Sequence, residues 1–227
     1  MKTTKMNFVY NLRPDSKELP ILMSTWSVGG ILSGYKTETR RPLNPQPPDG
    51  YIPLIDNIAS SSHISFGKAG QTKMFKTADF VAKCRYGRPM DTLYVRETWA
   101  KITDLDTTDP GTGAFADGCF YKADHPAGLW HDNGDDMKWR PSIHMPKELA
   151  RIRLRVSEVN CERLQDITRE GMLAEGLYWN IPKTHRSKLP IWDLQRSWIE
   201  LWNDINAGRG MSWGTNPWVF VVKFEKL

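Results

Sequence analysis

The sequence predicts a mixed α/β domain of the α+β kind, a small mixed or antiparallel β-barrel with short helices in its crossovers and long loop insertions. Two patterns carry this expectation. Short segments of alternating apolar and polar residues recur along the whole chain, while helix-period segments are few and mostly short. No βαβ rhythm links them, and the strands are too dispersed for a doubly wound sheet.

The elements follow in order. Residues 1–18 are polar and read as a loose arm, and residues 19–227 as a single domain with insertions at about 42–85 and 101–136. Leu19–Ser24 reads as a first strand. Trp26, Val28, Ile31 and Leu32 mark a short helix stopped by Gly34, although Gly29 and Gly30 weaken it. Lys36–Arg41 leans toward β structure and is halted by Pro42. Residues 42–65, rich in Pro, Gly, Asn and Ser, read as a surface loop, and residues 68–88 as a mixed, basic stretch. A turn at Gly87–Asp91 delivers a strand over Thr92–Trp99.

Residues 101–136 hold eight Asp and two Lys, a net charge of -6, with Phe120-Tyr121 as an extra strand. Residues 137–155 then hold six Lys or Arg and one Glu, a net of +5. Either the two segments pair or both are solvated faces. Arg151–Ser157 alternates cleanly, with Ile152, Leu154 and Val156 on one face. Thr168 is placed to cap a helix from Arg169 to Glu175 that Gly176 stops. Residues 180–190 read as a loop, and Ile191–Ile205 carries a helical stripe of Trp192, Leu194, Trp198, Ile199, Leu201, Trp202 and Ile205. Gly208–Pro217 is a loop, and Trp218–Glu225 a closing strand.

Composition narrows the function classes. Of 227 residues, 40% are hydrophobic and 25% charged, which fits a globular protein and argues against wholesale disorder. No apolar run approaches the ~20 residues of a membrane span. The basic N-terminus is followed by no apolar core or cleavage site, so a cytoplasmic protein is expected. Three scattered cysteines, Cys84, Cys119 and Cys161, read as reduced thiols. The +5 net charge hints at a polyanionic partner. Ten tryptophans imply either large aromatic plugs in a small core or stacking surfaces for flat ligands.

The candidate chemistry is narrow. Gly111–Ala116 mimics a dinucleotide fingerprint but lacks the strand-then-helix frame, so its glycines read as turn residues. His63, His125, His131, His144 and His185 show no ligand-like spacing, and no metal or cofactor is expected. Glu175 is more informative. It faces the negative end of its own helix, which is unfavourable by roughly several tenths of a kcal/mol. Such a position favours the protonated carboxyl, which suits a group that must take up a proton near neutrality. Lys36, Thr39, Arg40 and Arg41 form a compact donor cluster in which a lysine beside cations can serve as a base, although the same residues would also make a basic surface strand. Strict alternation puts Lys36 and Thr39 on opposite faces, so they cooperate only if the segment turns. Arg96, Glu97 and Trp99 end the central strand, and Trp139, Arg140 and His144 lie in a rigid basic loop. Trp213, Asn216 and Trp218 cluster near the C-terminus. Aromatics interleaved with cations suit nucleobases and single-stranded nucleic acid, though each Trp would serve equally as a core plug.

Ile31-Leu-Ser-Gly-Tyr-Lys-Thr-Glu-Thr-Arg40 resembles the signature I-L-x-G-x-K-T-x-T-x-R of ASCH domains, members of the PUA-like superfamily. Tyr86–Glu97 resembles the family's G-D-x-L-x-V-x-E strand entry, with Met90 where the family usually has Gly. Leu164–Gly176 resembles its helix ending in A-E-G, and Trp218–Phe224 its last strand. Arg96–Trp99, Trp139–Pro146, Glu162–Ile167 and Asn216–Val219 are similar to motifs of a longer subgroup common in tailed phages and prophages. The two insertions lie outside the core signature.

The resemblance implies a PUA-like β-barrel with a cleft for RNA or nucleoside. The chain is also similar in motif to the small bacterial enzymes that deacetylate N4-acetylcytidine with a Lys, a Thr and a Glu. By motif match these are Lys36, Thr39 and Glu175. Arg40, Arg41, Arg96, Glu97, Trp99, Trp139, Arg140 and His144 would hold the substrate or nucleic acid. The expected partner is a modified nucleoside, RNA or single-stranded nucleic acid, in a bacterial host or phage-encoded setting. The alternative is a non-catalytic module that binds RNA, single-stranded DNA or a modified base.

Overall fold

The computed structural model describes residues 15–54, 63–68, 80–101, 119–124, 138–186 and 188–227. In chain order the elements are β1 (Glu18–Leu22), α1 (Thr25–Leu32), β2 (Glu38–Pro42), β3 (Tyr51–Pro53), β4 (His63–Lys68), β5 (Phe80–Lys83), β6 (Thr92–Arg96), β7 (Trp99–Lys101), β8 (Cys119–Tyr121), β9 (Arg153–Arg163), α2 (Arg169–Ala174), α3 (Lys183–Arg186), α4 (Ile191–Asn206) and β10 (Trp218–Lys226). This is the mixed α/β class that the sequence predicts.

A five-stranded sheet runs in the order β1-β6-β9-β10-β2. Only the β1–β6 pair is parallel; the other three neighbours are antiparallel. Smaller sheets are β3-β4-β5 and β7-β8. Among the described residues the five-stranded ladder does not close on itself. Its two outer strands are instead linked by a side chain: Arg41 Nη2, on β2, donates to the carbonyl of Leu22 on β1 at 2.7 Å.

The long strand β10 separates two cores. Trp218, Phe220, Val222 and Phe224 point into the main core with Leu93 and Val95 from β6, Leu154 and Val156 from β9, and Val28 and Ile31 from α1. Val219 points the other way, into a second core with Leu164, Met172, Leu194, Trp198 and Trp202. Period-two alternation on a strand covered on both faces forces this division. The α4 stripe is buried at Leu194, Trp198 and Trp202, whereas Trp192 and Ile205, expected on the same stripe, are exposed at the two ends of the helix.

Several expectations change. The segment read as a surface loop and basic stretch supplies β3, β4 and β5, and Ile64, Phe66 and Ala82 enter the main core. Within 180–190, residues 183–186 form the single helical turn α3. β9 continues past Ser157 to Arg163. Phe120-Tyr121 does lie in a strand, β8. One link between the acidic and basic segments is direct, Arg151 Nη1 to Asp124 Oδ2 at 2.5 Å. Most of the proposed arm, Gly111–Ala116, His125, His131 and most of the acidic segment lie outside the described residues.

Met90 adopts φ +80°, a left-handed conformation that glycine takes without penalty. The turn is held by Asp91, whose carboxylate accepts from the backbone N–H groups of Lys17 (2.9 Å) and Arg88 (3.0 Å).

Candidate functional site

Three chain segments build the candidate site. After α1 the backbone reverses at Gly34, and the N–H groups of Tyr35 and Lys36 both donate to Gly30 O at 2.9 Å. The N–H of Thr37 reaches Ala174 O at the end of α2, and Thr37 O accepts from Phe224 N, each at 2.9 Å. Residues 35–37 are therefore pinned between α1, α2 and β10. α2 itself starts at Thr168, whose side chain accepts from Gly171 N at 3.1 Å, and ends in a left-handed Gly176.

The Lys36 stem is wedged between two glycines. A Cβ on Gly30 would stand 3.2 Å from Lys36 Cβ, and one on Gly176 would stand 3.1 Å from it. The ammonium then meets Glu175 twice, donating to Oε2 at 2.5 Å and to the backbone carbonyl at 2.7 Å. That carbonyl is one of the unpaired acceptors at a helix C-terminus, so a cation belongs there. Lys36 is 5% exposed and Glu175 7%.

Glu175 does not stand as a free acid. Its Oε1 accepts from the backbone N–H of Arg40 on the open edge of β2, and its Oε2 from Lys36. Lys36 stands at the negative helix end that the sequence shows alone, in contact with both the Glu175 carboxylate and its carbonyl. Arg40 Nη1 lies 3.7 Å from Glu175 Oε1, 2.7 Å from Glu38 Oε1, and Arg40 Nε 2.7 Å from Glu162 Oε1. Glu38 and Glu162 are partners that motif reading missed. The signal for Glu38 was its i, i+2 spacing from Arg40, which puts both on one strand face. Gly171 leaves room for this cluster, since a Cβ there would come within 2.7 Å of Arg40 Nη2.

The electrostatics follow from burial. Desolvation pushes Lys36 below the ordinary lysine range, with Glu175 opposing and Arg41 and Arg40 assisting. Burial raises the Glu38 carboxyl against the pull of Arg40. Burial works against the Arg40 charge, but Glu175, Glu162 and Glu38 together outweigh it and raise its pKa. Arg40 is thus committed to carboxylates and is not open for a phosphate.

Thr39 lies opposite Val222 in the β2–β10 register, so it shares the main-core face, whereas Arg40 lies opposite Val221 on the face toward α2. Glu175 occupies the strand edge between those faces. The structure joins Lys36 and Glu175 directly. Thr39 flanks the contact without a hydrogen bond to either.

The remaining predicted residues fall elsewhere. Arg41 bridges to Leu22 and stands over the Tyr86 ring at 5.7 Å. Arg96 clamps the carbonyls of Met145 (2.8 Å) and Ile143. Glu97 is buried in a two-point pair with Arg151, at 2.9 and 3.1 Å. Its carboxyl is raised by burial, with Arg151 opposing. Trp99 exchanges backbone hydrogen bonds with Arg140, whose guanidinium lies 5.3 Å from its ring centre. At 2% exposure Trp99 is a core plug, which corrects its reading as an open stacking face. Trp139 lies under Lys122 at 5.8 Å, and His144 is exposed. Arg96, Glu97, Trp99 and Arg140 therefore serve to clasp loop 138–150 to β6 and β7.

Among the described residues no group of three or more His, Cys, Asp or Glu is placed to hold a metal ion, and no helix is long and apolar enough to cross a membrane. No family model matches the sequence, and comparison with curated proteins and with solved structures finds no match.

Proposed function

We propose that this chain is an ASCH-type, PUA-like domain that hydrolyses an acyl group from the exocyclic amine of a nucleobase, as in N4-acetylcytidine. The observation that carries the reading is the buried Lys36–Glu175 contact at 2.5 Å, made across 139 residues of sequence by two of the three motif positions. Two features support the family reading. Met90, where the family usually has Gly, adopts a glycine-like φ of +80°. Arg41 ties the outer strands β1 and β2 together, as a barrel-like curl of the sheet requires.

The chemistry uses one shared proton. Transfer from the Lys36 ammonium to the Glu175 carboxylate as substrate enters yields a neutral amine and a carboxylic acid, and the burial that lowers the Lys36 pKa favours the amine. The Lys36 amine takes the hydroxyl proton of Thr39 as its oxygen attacks the acyl carbon. Glu175 gives its proton to the leaving nitrogen as the C–N bond breaks. The products are an acyl-Thr39 ester and the free base, with Lys36 and Glu175 again an ion pair. Water then hydrolyses the ester, restoring the Thr39 hydroxyl and releasing the carboxylic acid. Attack requires Thr39 to turn toward the β2 edge when substrate enters.

A second reading, a binding module for RNA, single-stranded DNA or a modified base, draws on the cationic loop 138–155 and needs no turnover. Incubation with N4-acetylcytidine separates the two. Cytidine should accumulate with the unaltered protein and not with Lys36→Met, whose circular dichroism should stay native. No cytidine from the unaltered protein, or equal cytidine from both, removes the hydrolase reading.

A further inference from the structure

We propose that Trp26, backed by Trp179, is the surface on which the substrate's flat base stacks, which rests on the reading of Lys36 and Glu175 as the reacting pair. Neither tryptophan belongs to a motif singled out for binding, and the two that were, Trp99 and Trp139, sit in the clasp of loop 138–150.

The argument starts from the two glycines inside α1. Adjacent glycines weaken a helix of eight residues, so their presence calls for a packing reason. The reason is Trp179, delivered by the turn after α2. A Cβ on Gly29 would overlap Trp179 Cζ2 and stand 3.0 Å from its Cε2, and one on Gly30 would stand 3.5 Å from its Cδ1. The indole thus packs against the glycine face of α1. The same Gly30 position is 3.2 Å from Lys36 Cβ. Trp179 and the Lys36 stem both pack against one glycine.

Trp26 extends this wall outward. Its ring centre is 5.3 Å from that of Trp179 at an interplanar angle of 55°, and it remains 40% exposed. A large, flat, apolar ring left open and braced by Trp179, which packs on the same glycine as the Lys36 stem, suits a planar heterocycle, because stacking tolerates any base and needs no hydrogen-bond code. Trp192 is more exposed, but its ring pairs with Arg196 on α4 and, among the described residues, no contact links it to Gly30 or Trp179. Trp179 fixes the angle of Trp26 and is a positioning residue, while Trp26 touches the base.

The test is calorimetric titration of the intact protein with cytidine, which carries the base but no acyl group. Trp26→Ala should weaken binding about tenfold, within the range that a stacking aromatic contributes, and Trp26→Phe should recover most of the loss. With N4-acetylcytidine the same alanine variant should raise KM and leave kcat nearly unchanged. Equal cytidine affinity in Trp26→Ala, or no saturable cytidine binding by the unaltered protein in the millimolar range, overturns the proposal. Lys36→Met keeps the two readings apart, since it should lose deacylation and still bind cytidine. Trp26-dependent cytidine binding without any deacylation by the unaltered protein would sustain the stacking wall and remove the hydrolase.

Discussion

Replacing Lys36 by Met deletes the ammonium while keeping an unbranched stem between Gly30 and Gly176. Glu175 then loses the donor at its Oε2 and the donor at its backbone carbonyl, both inside a site where it is 7% exposed. Removing one partner of a buried ion pair costs about 3–5 kcal/mol, because the other charge stays buried. Glu175 keeps the Arg40 N–H and the Arg40 guanidinium at 3.7 Å, which places the expected loss at the lower end, about 3 kcal/mol. For a chain of this size that is a fall in Tm of roughly 6–12 °C. Urea unfolding followed by the fluorescence of the ten tryptophans measures it. Adding Glu175→Gln to Lys36→Met should recover part of the loss, since the stranded charge is gone. The pH dependence has a definite sign. The folded-state pKa of Lys36 is depressed by burial, so between that value and 10.5 the unfolded chain binds more protons than the folded one. The stability contributed by Lys36 therefore rises with pH through this window and is lost as pH falls through the folded-state value. The advantage of the unaltered protein over Lys36→Met should widen as the medium becomes alkaline. A loss below about 1 kcal/mol at neutral pH, a value typical of surface pairs, refutes the burial reasoning. So does an advantage that narrows toward alkaline pH.

Two further predictions concern the backbone that positions the pair. Gly176→Ala puts a side chain at φ +88° with its Cβ 3.1 Å from Lys36 Cβ, so strain and displacement act together. Chemical denaturation should show a loss of roughly 2 kcal/mol, and any deacylase activity should fall with it. Met90→Gly relieves a left-handed methionine at φ +80° but adds freedom to the unfolded chain, so thermal unfolding should show stability unchanged or raised by up to about 1 kcal/mol. A clear loss would mean that the Met90 side chain contributes packing that outweighs its backbone strain.

The legible parts of the fold were those where one physical rule acts alone. The alternation of Ile152, Leu154 and Val156 marks β9, and the helical stripe marks α4, because each buries one face against one core. The sequence after Ser157 is mostly polar and, apart from the buried Val159, at most half-buried, so its place in β9 comes from pairing with β10, which no local pattern records. The same holds for β3 to β5. Residues 42–65 read as loop from their Pro, Gly, Asn and Ser content and residues 68–88 as a mixed, basic stretch, and the strands exist because Ile64, Phe66 and Ala82 find a core made by distant segments.

The site divides along the same line. Glu175 was visible as a carboxylate at the wrong end of a helix, a local violation with a local signature. Its relief by Lys36, donating to both the carboxylate and the helix carbonyl, depends on two chain reversals and was visible only through motif resemblance. Arg40 read as a contact to substrate or nucleic acid because sequence shows its charge but not the carboxylates of Glu38, Glu162 and Glu175 around it. Gly29 and Gly30 read as weak helix, whereas the indole of Trp179 lies against them.

The most direct measurement is to quench a reaction with N4-acetylcytidine in acid within the first turnover and map acetyl groups by peptide mass spectrometry. An acetyl group should appear on Thr39 in the unaltered protein, be absent in Lys36→Met, and leave Thr39→Val inactive. Steady cytidine release with no modified Thr39, together with full turnover by Thr39→Val, would contradict an attack by that hydroxyl.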